Sequence, residues 1–272
     1  MKKALIGTAA IGGVAGFFLR RAQLTKSFDA SGLIPSGDGI SLALYLLCAA
    51  AVVIALVLCL REKKGSVPVF QEKMPLRGLA VIVAALGILA VNLPPDFQGG
   101  LFDKMILALG FASVCAMAVE GVFHMQGRPG SLLGGCILPL YLAELLIRDY
   151  RTWSYDPLLV EYAFQLLFSV FALLAAFELA AFRVGKGKRR LTGFYVACTV
   201  CMAGPALADG GARNILLIAA LTLYLLAEYA PILRADPIEA VEEDAAQSAE
   251  NETEMEDMQE NSANYPSNME GM

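Results

Sequence analysis

Charge is scarce in this chain. Of its 272 residues 17% are Asp, Glu, Lys or Arg, and it holds one histidine and one tryptophan. A soluble domain carries about 25% charge and is about 45–50% apolar, whereas 57% of these residues are hydrophobic. That deficit excludes an ordinary soluble globule. The lone histidine, His124, has no Cys or His companion at ligand spacing, which excludes a histidine-built zinc site. No HExxH, GxSxG, phosphate-loop or dinucleotide-binding GxGxxG stretch occurs, so the commoner hydrolase and nucleotide chemistries lose their usual anchors and no cofactor is implied. The basic patches are short and flank apolar runs. Anionic lipid accounts for them better than nucleic acid does, and the bilayer is the expected partner.

Cysteine is present but in the wrong places for a disulfide framework. Cys48, Cys59, Cys115, Cys136, Cys198 and Cys201 all fall inside apolar runs, where they read as small packing residues. Cys198-Thr199-Val200-Cys201 has redox spacing, but a reactive thiol needs an accessible, electropositive setting. Packing is the better reading.

What the sequence has in quantity is long apolar runs. About 20 mostly apolar residues cross a hydrocarbon core as a helix. Eight stretches qualify: 4–19, 40–60, 76–93, 105–124, 132–149, 157–182, 190–208 and 212–230. Pro94-Pro95, Gly99-Gly100, Pro129-Gly130 and Gly210-Gly211 punctuate the connections. No alternating strand pattern competes. The expected fold class is all-α, a polytopic membrane bundle of about eight transmembrane helices spanning 1–234. Residues 235–272 hold 12 acids and no Lys or Arg. Such a segment cannot bury enough apolar surface to order itself, so a disordered acidic tail is expected.

Lys and Arg resist translocation, and their placement sets orientation. With the N-terminus inside, the cytoplasmic segments carry 14 basic residues and the opposite ones 7. The basic loops Arg61-Glu62-Lys63-Lys64 and Arg183 to Arg190 fall on the same side. Both termini are therefore expected in the cytoplasm, with the chain in the cell (inner) membrane.

Carboxylates inside membrane helices are costly and often mark pathways. Glu120, Glu178 and Glu228 fall near the inner helix ends, where solvation is the simpler reading. Toward the outer face a polar cluster gathers: Arg20, Asp29, Glu144, Arg148, Asp149, Arg151, Asp156 and Glu161. Glu144 and Arg148 share a helix face four residues apart, as do Glu161 and Gln165. This cluster is the candidate site for a small solute or ion. Its bland counterpart is a set of solvated loop charges with interfacial Trp153 and Tyr155.

The segment Leu19-Arg20-Arg21-Ala22-Gln23-Leu24, continuing to Phe28-Asp29 and Gly32-Leu33-Ile34-Pro35, resembles the opening of an uncharacterised family of bacterial multi-spanning membrane proteins. The resemblance covers the first two helices and their loop. It implies a bacterial inner-membrane location and carries no activity with it.

Transport or binding of a small solute or ion near the outer face is the first functional expectation. A membrane sensor or partner protein, signalling through cytoplasmic loops and tail, is the second, and an intramembrane enzyme the third. The chain also permits two parallel four-helix halves, 1–124 and 132–234, with Asp29 and Asp156 at equivalent outer positions and Arg20 and Arg148 beneath them. The orientation is testable with single cysteines at Ser66 and Ser154 in a cysteine-free background. They are expected to label from opposite sides of the membrane, and labelling from one side overturns the assignment.

Overall fold

The computed structural model describes residues 2–26, 38–61, 73–93, 100–128, 130–154 and 162–234. Among the described residues there are eight helices: α1 Lys2–Lys26, α2 Gly39–Leu60, α3 Pro75–Asn92, α4 Leu101–Gln126, α5 Leu132–Trp153, α6 Ala163–Phe182, α7 Arg189–Asp209 and α8 Ala212–Arg234. The chain is an all-α membrane-spanning bundle. The expected acidic tail, 235–272, lies outside the described residues.

Seven helices, all but α5, are long and apolar enough to cross a membrane. The last turns of α5 carry Glu144, Arg148, Asp149 and Arg151, which lower its hydropathy. Its neighbours nevertheless require it to cross. The end of α4 lies with the start of α3 and the end of α8, through His124, Arg77 and Glu228. The start of α6 lies with the far ends of α1 and α7, through Phe164, Arg20 and Asp209. A chain joining α4 to α6 must run from one end of the bundle to the other. The end that holds the start of α1 and the end of α8 is called here the terminal face, and the other the opposite face.

Small residues decide which helices touch. A methyl group at Gly204 of α7 would strike the carbonyl of Gly13 in α1, and one at Gly16 would sit 2.8 Å from the Pro205 ring. A methyl at Gly78 of α3 would strike the Gly121 carbonyl of α4, and one at Gly87 would lie 2.8 Å from the Ala220 Cβ of α8. These glycines let backbones approach as small residues do in membrane interfaces generally. The pairs they serve, α1 with α7, α3 with α4 and α3 with α8, are among the most extensive in the bundle. The Gly12-x3-Gly16 spacing of α1 is thus an internal contact with α7. α7 packs against α1, α2, α6 and α8 and is the most buried span, at 72%; α2 is the least, at 22%. Ile11, Phe18, Leu46 and Leu133 point outward, as lipid-facing side chains do.

Two expectations need correction. α1 does not stop at residue 19: it continues to Lys26, because Arg20 and Gln23 find partners inside the bundle and have no reason to break the helix. The halves 1–124 and 132–234 do not repeat one arrangement either. α6 packs along α7, but their counterparts α2 and α3 share at most a marginal contact, and α1 packs on α7 whereas α5 has no such contact with α3. The small-residue contacts also set a test. Gly204→Ala is expected to cost about 1–3 kcal/mol through overpacking, measured by unfolding in mixed micelles. Gly7→Ala, which meets nothing within 4 Å, is expected to be neutral or stabilising.

Candidate functional site

Most buried polar side chains lie in two layers, one at each end of the bundle, with Ser113 and Thr199 buried between them. At the terminal face the layer is ionic. Glu228 of α8 is 1% exposed and accepts from Arg77 Nη2 of α3 at 2.7 Å, while His124 Nε2 of α4 lies 2.9 Å from its other oxygen. Arg183, which caps α6, grips Glu120 of α4 through both guanidinium nitrogens, one at 2.8 Å, and its Nη2 lies 4.0 Å from Glu228. Arg183 also donates to the Ser131 carbonyl at 2.6 Å. Tyr224, one turn before Glu228, is 3% exposed and stands within electrostatic reach of both carboxylates and both arginines.

Local sequence explains the placement. Gly127 caps α4, and Gly185 turns the chain two residues past the α6 cap, both in the left-handed conformation that glycine tolerates without strain (φ 73° and 71°). Each helix therefore stops within two residues of its cluster residue, His124 or Arg183. The Met74 N–H donates to the His124 carbonyl at 3.1 Å, which ties the start of α3 to the last turn of α4 and sets Arg77 beside the imidazole. Gly134 and Gly135, at the start of α5, leave the space that Glu120 and Arg183 occupy: a methyl there would lie 2.6 Å from the Glu120 carboxylate or 2.9 Å from the Arg183 guanidinium.

At the opposite face the layer is mostly neutral. Arg20 of α1, 1% exposed, donates from Nε to Asp209 of α7 at 2.5 Å and from Nη1 to Gln23 at 2.6 Å, and its guanidinium lies 5.4 Å from the centre of the Phe164 ring. Gln23 donates to Ser41 at 2.6 Å, and Ser41 donates to Asp38, the residue that caps α2. Asn92 of α3 donates to the Tyr141 hydroxyl of α5 at 3.2 Å, and Asn214 of α8 to Gln165 of α6 at 3.5 Å. Every helix except α4 contributes one of these side chains. Glu144 stands one turn beyond Tyr141, and its Oε2 is buried with no hydrogen-bond partner among the described residues.

The sequence-predicted cluster is thus only partly assembled. Arg20 is a helical, buried residue paired to Asp209 and not a charge of the outer loop. Arg148 pairs with its neighbour Asp149 at 3.0 Å, not with Glu144. Arg151 is exposed, 5.9 Å from the Phe102 ring. Asp29, Asp156 and Glu161 lie outside the described residues. Glu120 and Glu228 are not solvated helix ends: each is 1% exposed and held by arginine. Sequence reading also passed over Asp209, Gln23, Asn92 and Arg77. Asn92 and Gln23, amides at the ends of apolar runs, were the available signal; Arg77 was hidden among basic loop residues. Cys198 and Cys201 are buried free thiols on the helix that α1 covers.

Comparison with protein-family models, with curated proteins and with solved structures gives no match in any of the three. The resemblance of the Leu19–Pro35 segment has no family match behind it.

Removing one partner from a buried ion pair strands the other in a medium that cannot solvate it, at about 3–5 kcal/mol. Glu228→Ala is expected to show a loss of that size in reversible unfolding from micelles. A loss below about 1 kcal/mol, the range of solvent-exposed pairs, would show that water reaches the network.

Proposed function

We propose that the protein is a membrane transport protein for a small cationic solute or ion, with its binding site in the neutral polar layer at the opposite face. The observation that carries this reading is Glu144 Oε2, a buried carboxylate oxygen without a partner among the described residues. A buried acceptor left unsatisfied is costly, and a bound cation or ammonium group removes that cost. Tyr141, one turn before Glu144, and Asn92 bonded to it supply a hydroxyl and an amide that orient without fixing charge, and Gln165 and Asn214 add two more amides to the same end of the bundle. Intramembrane ionisable residues generally mark substrate or ion pathways. By the distribution of Lys and Arg, the opposite face is the outer one, and the terminal face with its basic loops is cytoplasmic.

A second reading has one observation in its favour. An apolar groove of about 430 Å³ runs between α1 and α7, lined by Gly13, Val14, Phe17, Val200 and Leu207. A groove of that kind suits a helix of a partner protein, as the sensor reading requires.

A thermal-shift panel of monovalent cations, divalent cations and small organic amines, run on the detergent-purified protein, separates the two. Transport predicts that at least one cation stabilises the wild type, by about 2.7 kcal/mol at a hundredfold excess over Kd, and that Glu144→Gln abolishes the shift. No shift with any of the panel, or an equal shift in E144Q, overturns the proposal.

A further inference from the structure

The valley where α1 packs on α7 is closed along one side and open along half of the other. A methyl at Gly12 would lie 3.2 Å from Cys201 Sγ and 3.5 Å from the Ala51 Cβ, so α2 fills the valley on its own side. Toward the terminal face, Leu5 of α1 and Tyr229 of α8 meet over Gly193 of α7. A methyl there would be 3.5 Å from Leu5 Cδ2 and 2.6 Å from the Tyr229 hydroxyl. Toward the opposite face α1 and α7 alone line the groove of about 430 Å³, from Ala10 and Val200 to Phe18 and Leu207, and none of the lining side chains is polar. Gly13 and Gly204 place no side chain on its floor.

Depth decides what the groove can hold. α7 runs from Arg189 to Asp209, and Thr199 is its midpoint. The stretch Val200 to Leu207 therefore lies wholly in the half of the membrane toward the opposite face. At 1.5 Å per residue it is about 12 Å long, close to half of a hydrocarbon core of about 30 Å. A helix that crosses the membrane needs a matching face over the full depth, and Leu5 with Tyr229 denies it the terminal half. An acyl chain needs one leaflet only. The open end of the groove also carries a cation. Arg21 stands one turn beyond Phe17, on the same exposed stripe of α1 as Ala10, Val14 and Phe18. Its neighbour Arg20 bonds to Asp209, the last residue of α7, which puts Arg21 where the hydrocarbon ends. Arginine keeps its charge there and matches a phosphate with two parallel N–H bonds.

We propose that this groove is the binding site of one phospholipid from the leaflet at the opposite face, with an acyl chain between α1 and α7 and the phosphate on Arg21. The two ends of the site match the two ends of that ligand, apolar along one leaflet's depth and cationic at its edge. On a plain helix face a chain touches one row of side chains. In the groove it touches both helices and the Phe17 and Phe18 rings, which stand 5.6 Å apart at 82°, and dispersion attraction grows with each such contact. The bound chain also fills the valley beside the Gly13–Gly204 crossing and so braces the helix pair that carries Arg20 and Asp209. The site does not rest on the transport reading, and it takes the groove away from the partner helix of the second one.

Native mass spectrometry of the full chain in detergent, titrated with dioleoylphosphatidylglycerol, tests this. The wild type is expected to retain one tightly held lipid. Val14→Trp puts an indole into the groove from an exposed position and is expected to lose that lipid. Arg21→Gln is expected to weaken its binding by about fivefold, the scale of one cation at a membrane surface. Leu46→Trp, on the lipid-facing side of α2, is expected to bind as the wild type does. No retained lipid, wild-type binding in V14W, or unchanged affinity in R21Q overturns the proposal. A dimer of the chain that V14W dissociates would give the groove to a second copy and overturns it as well. Ala10→Trp enters the same groove and decides the question if V14W does not fold.

Discussion

A charge placed in hydrocarbon has no water to turn to, and its counter-charge has to come from another helix. Most of this architecture follows from that constraint. Arg20 reaches from α1 to Asp209 on α7, Arg77 from α3 to Glu228 on α8, and Arg183 from the end of α6 to Glu120 on α4. None of these pairs is local in sequence. Each fixes a helix neighbour that apolar packing alone would leave open, because one apolar stripe fits lipid as well as it fits another helix. Buried ion pairs are weak evidence for net stability, since desolvation offsets much of their attraction. What they do here is select one arrangement of helices over others of similar apolar contact.

The pairs form only where backbones come close enough for short side-chain bonds. Gly78 meets Gly121 one residue away from Arg77 and Glu120. Gly16 meets Pro205 one turn before Arg20 and Asp209 respectively. The closest helix crossings therefore lie within a turn of the buried charges. A larger residue at Gly78 would move α3 off α4 and so pull apart Arg77 and His124, the two partners of Glu228, without touching a charged atom.

The sequence made the bundle legible because length and apolarity are local properties: six of eight spans lie within four residues of their expected bounds, and of the expected sixth span 157–182 the first residues, 157–161, lie outside the described residues. The exceptions are informative. α1 runs on to Lys26 because Arg20 and Gln23 are satisfied by Asp209 and Ser41, and nothing near residue 20 announces a partner 189 positions away. The ionic network failed to show for the same reason. Glu120 and Glu228 sit near helix ends where solvation is the ordinary expectation, and only the three-dimensional arrangement brings Arg77, His124 and Arg183 to them. Glu144 was legible as an intramembrane carboxylate, but its expected partner Arg148 turned to Asp149. That adjacent contact needs no helix geometry, and it leaves Glu144 Oε2 to be satisfied in some other way.

The two polar layers differ in kind, and the difference bears on which end can open. Charge-assisted hydrogen bonds are about twice as strong as neutral ones, and separating a buried ion pair exposes two charges at once. The terminal-face network would have to break several such contacts to admit a solute. At the opposite face, Asn92–Tyr141 and Asn214–Gln165 are neutral bonds of 3.2 and 3.5 Å. A neutral bond of this kind contributes only about 0.5–1.5 kcal/mol, and an incoming polar ligand can replace it directly. The ion pair there, Arg20–Asp209, resists, and it lies between α1 and α7, whose glycine contact already holds them together. Separating α3 from α5 and α6 from α8 leaves that pair intact. The opposite face is thus held mainly by bonds that a polar ligand can replace, and the terminal face by charges that only one another can satisfy.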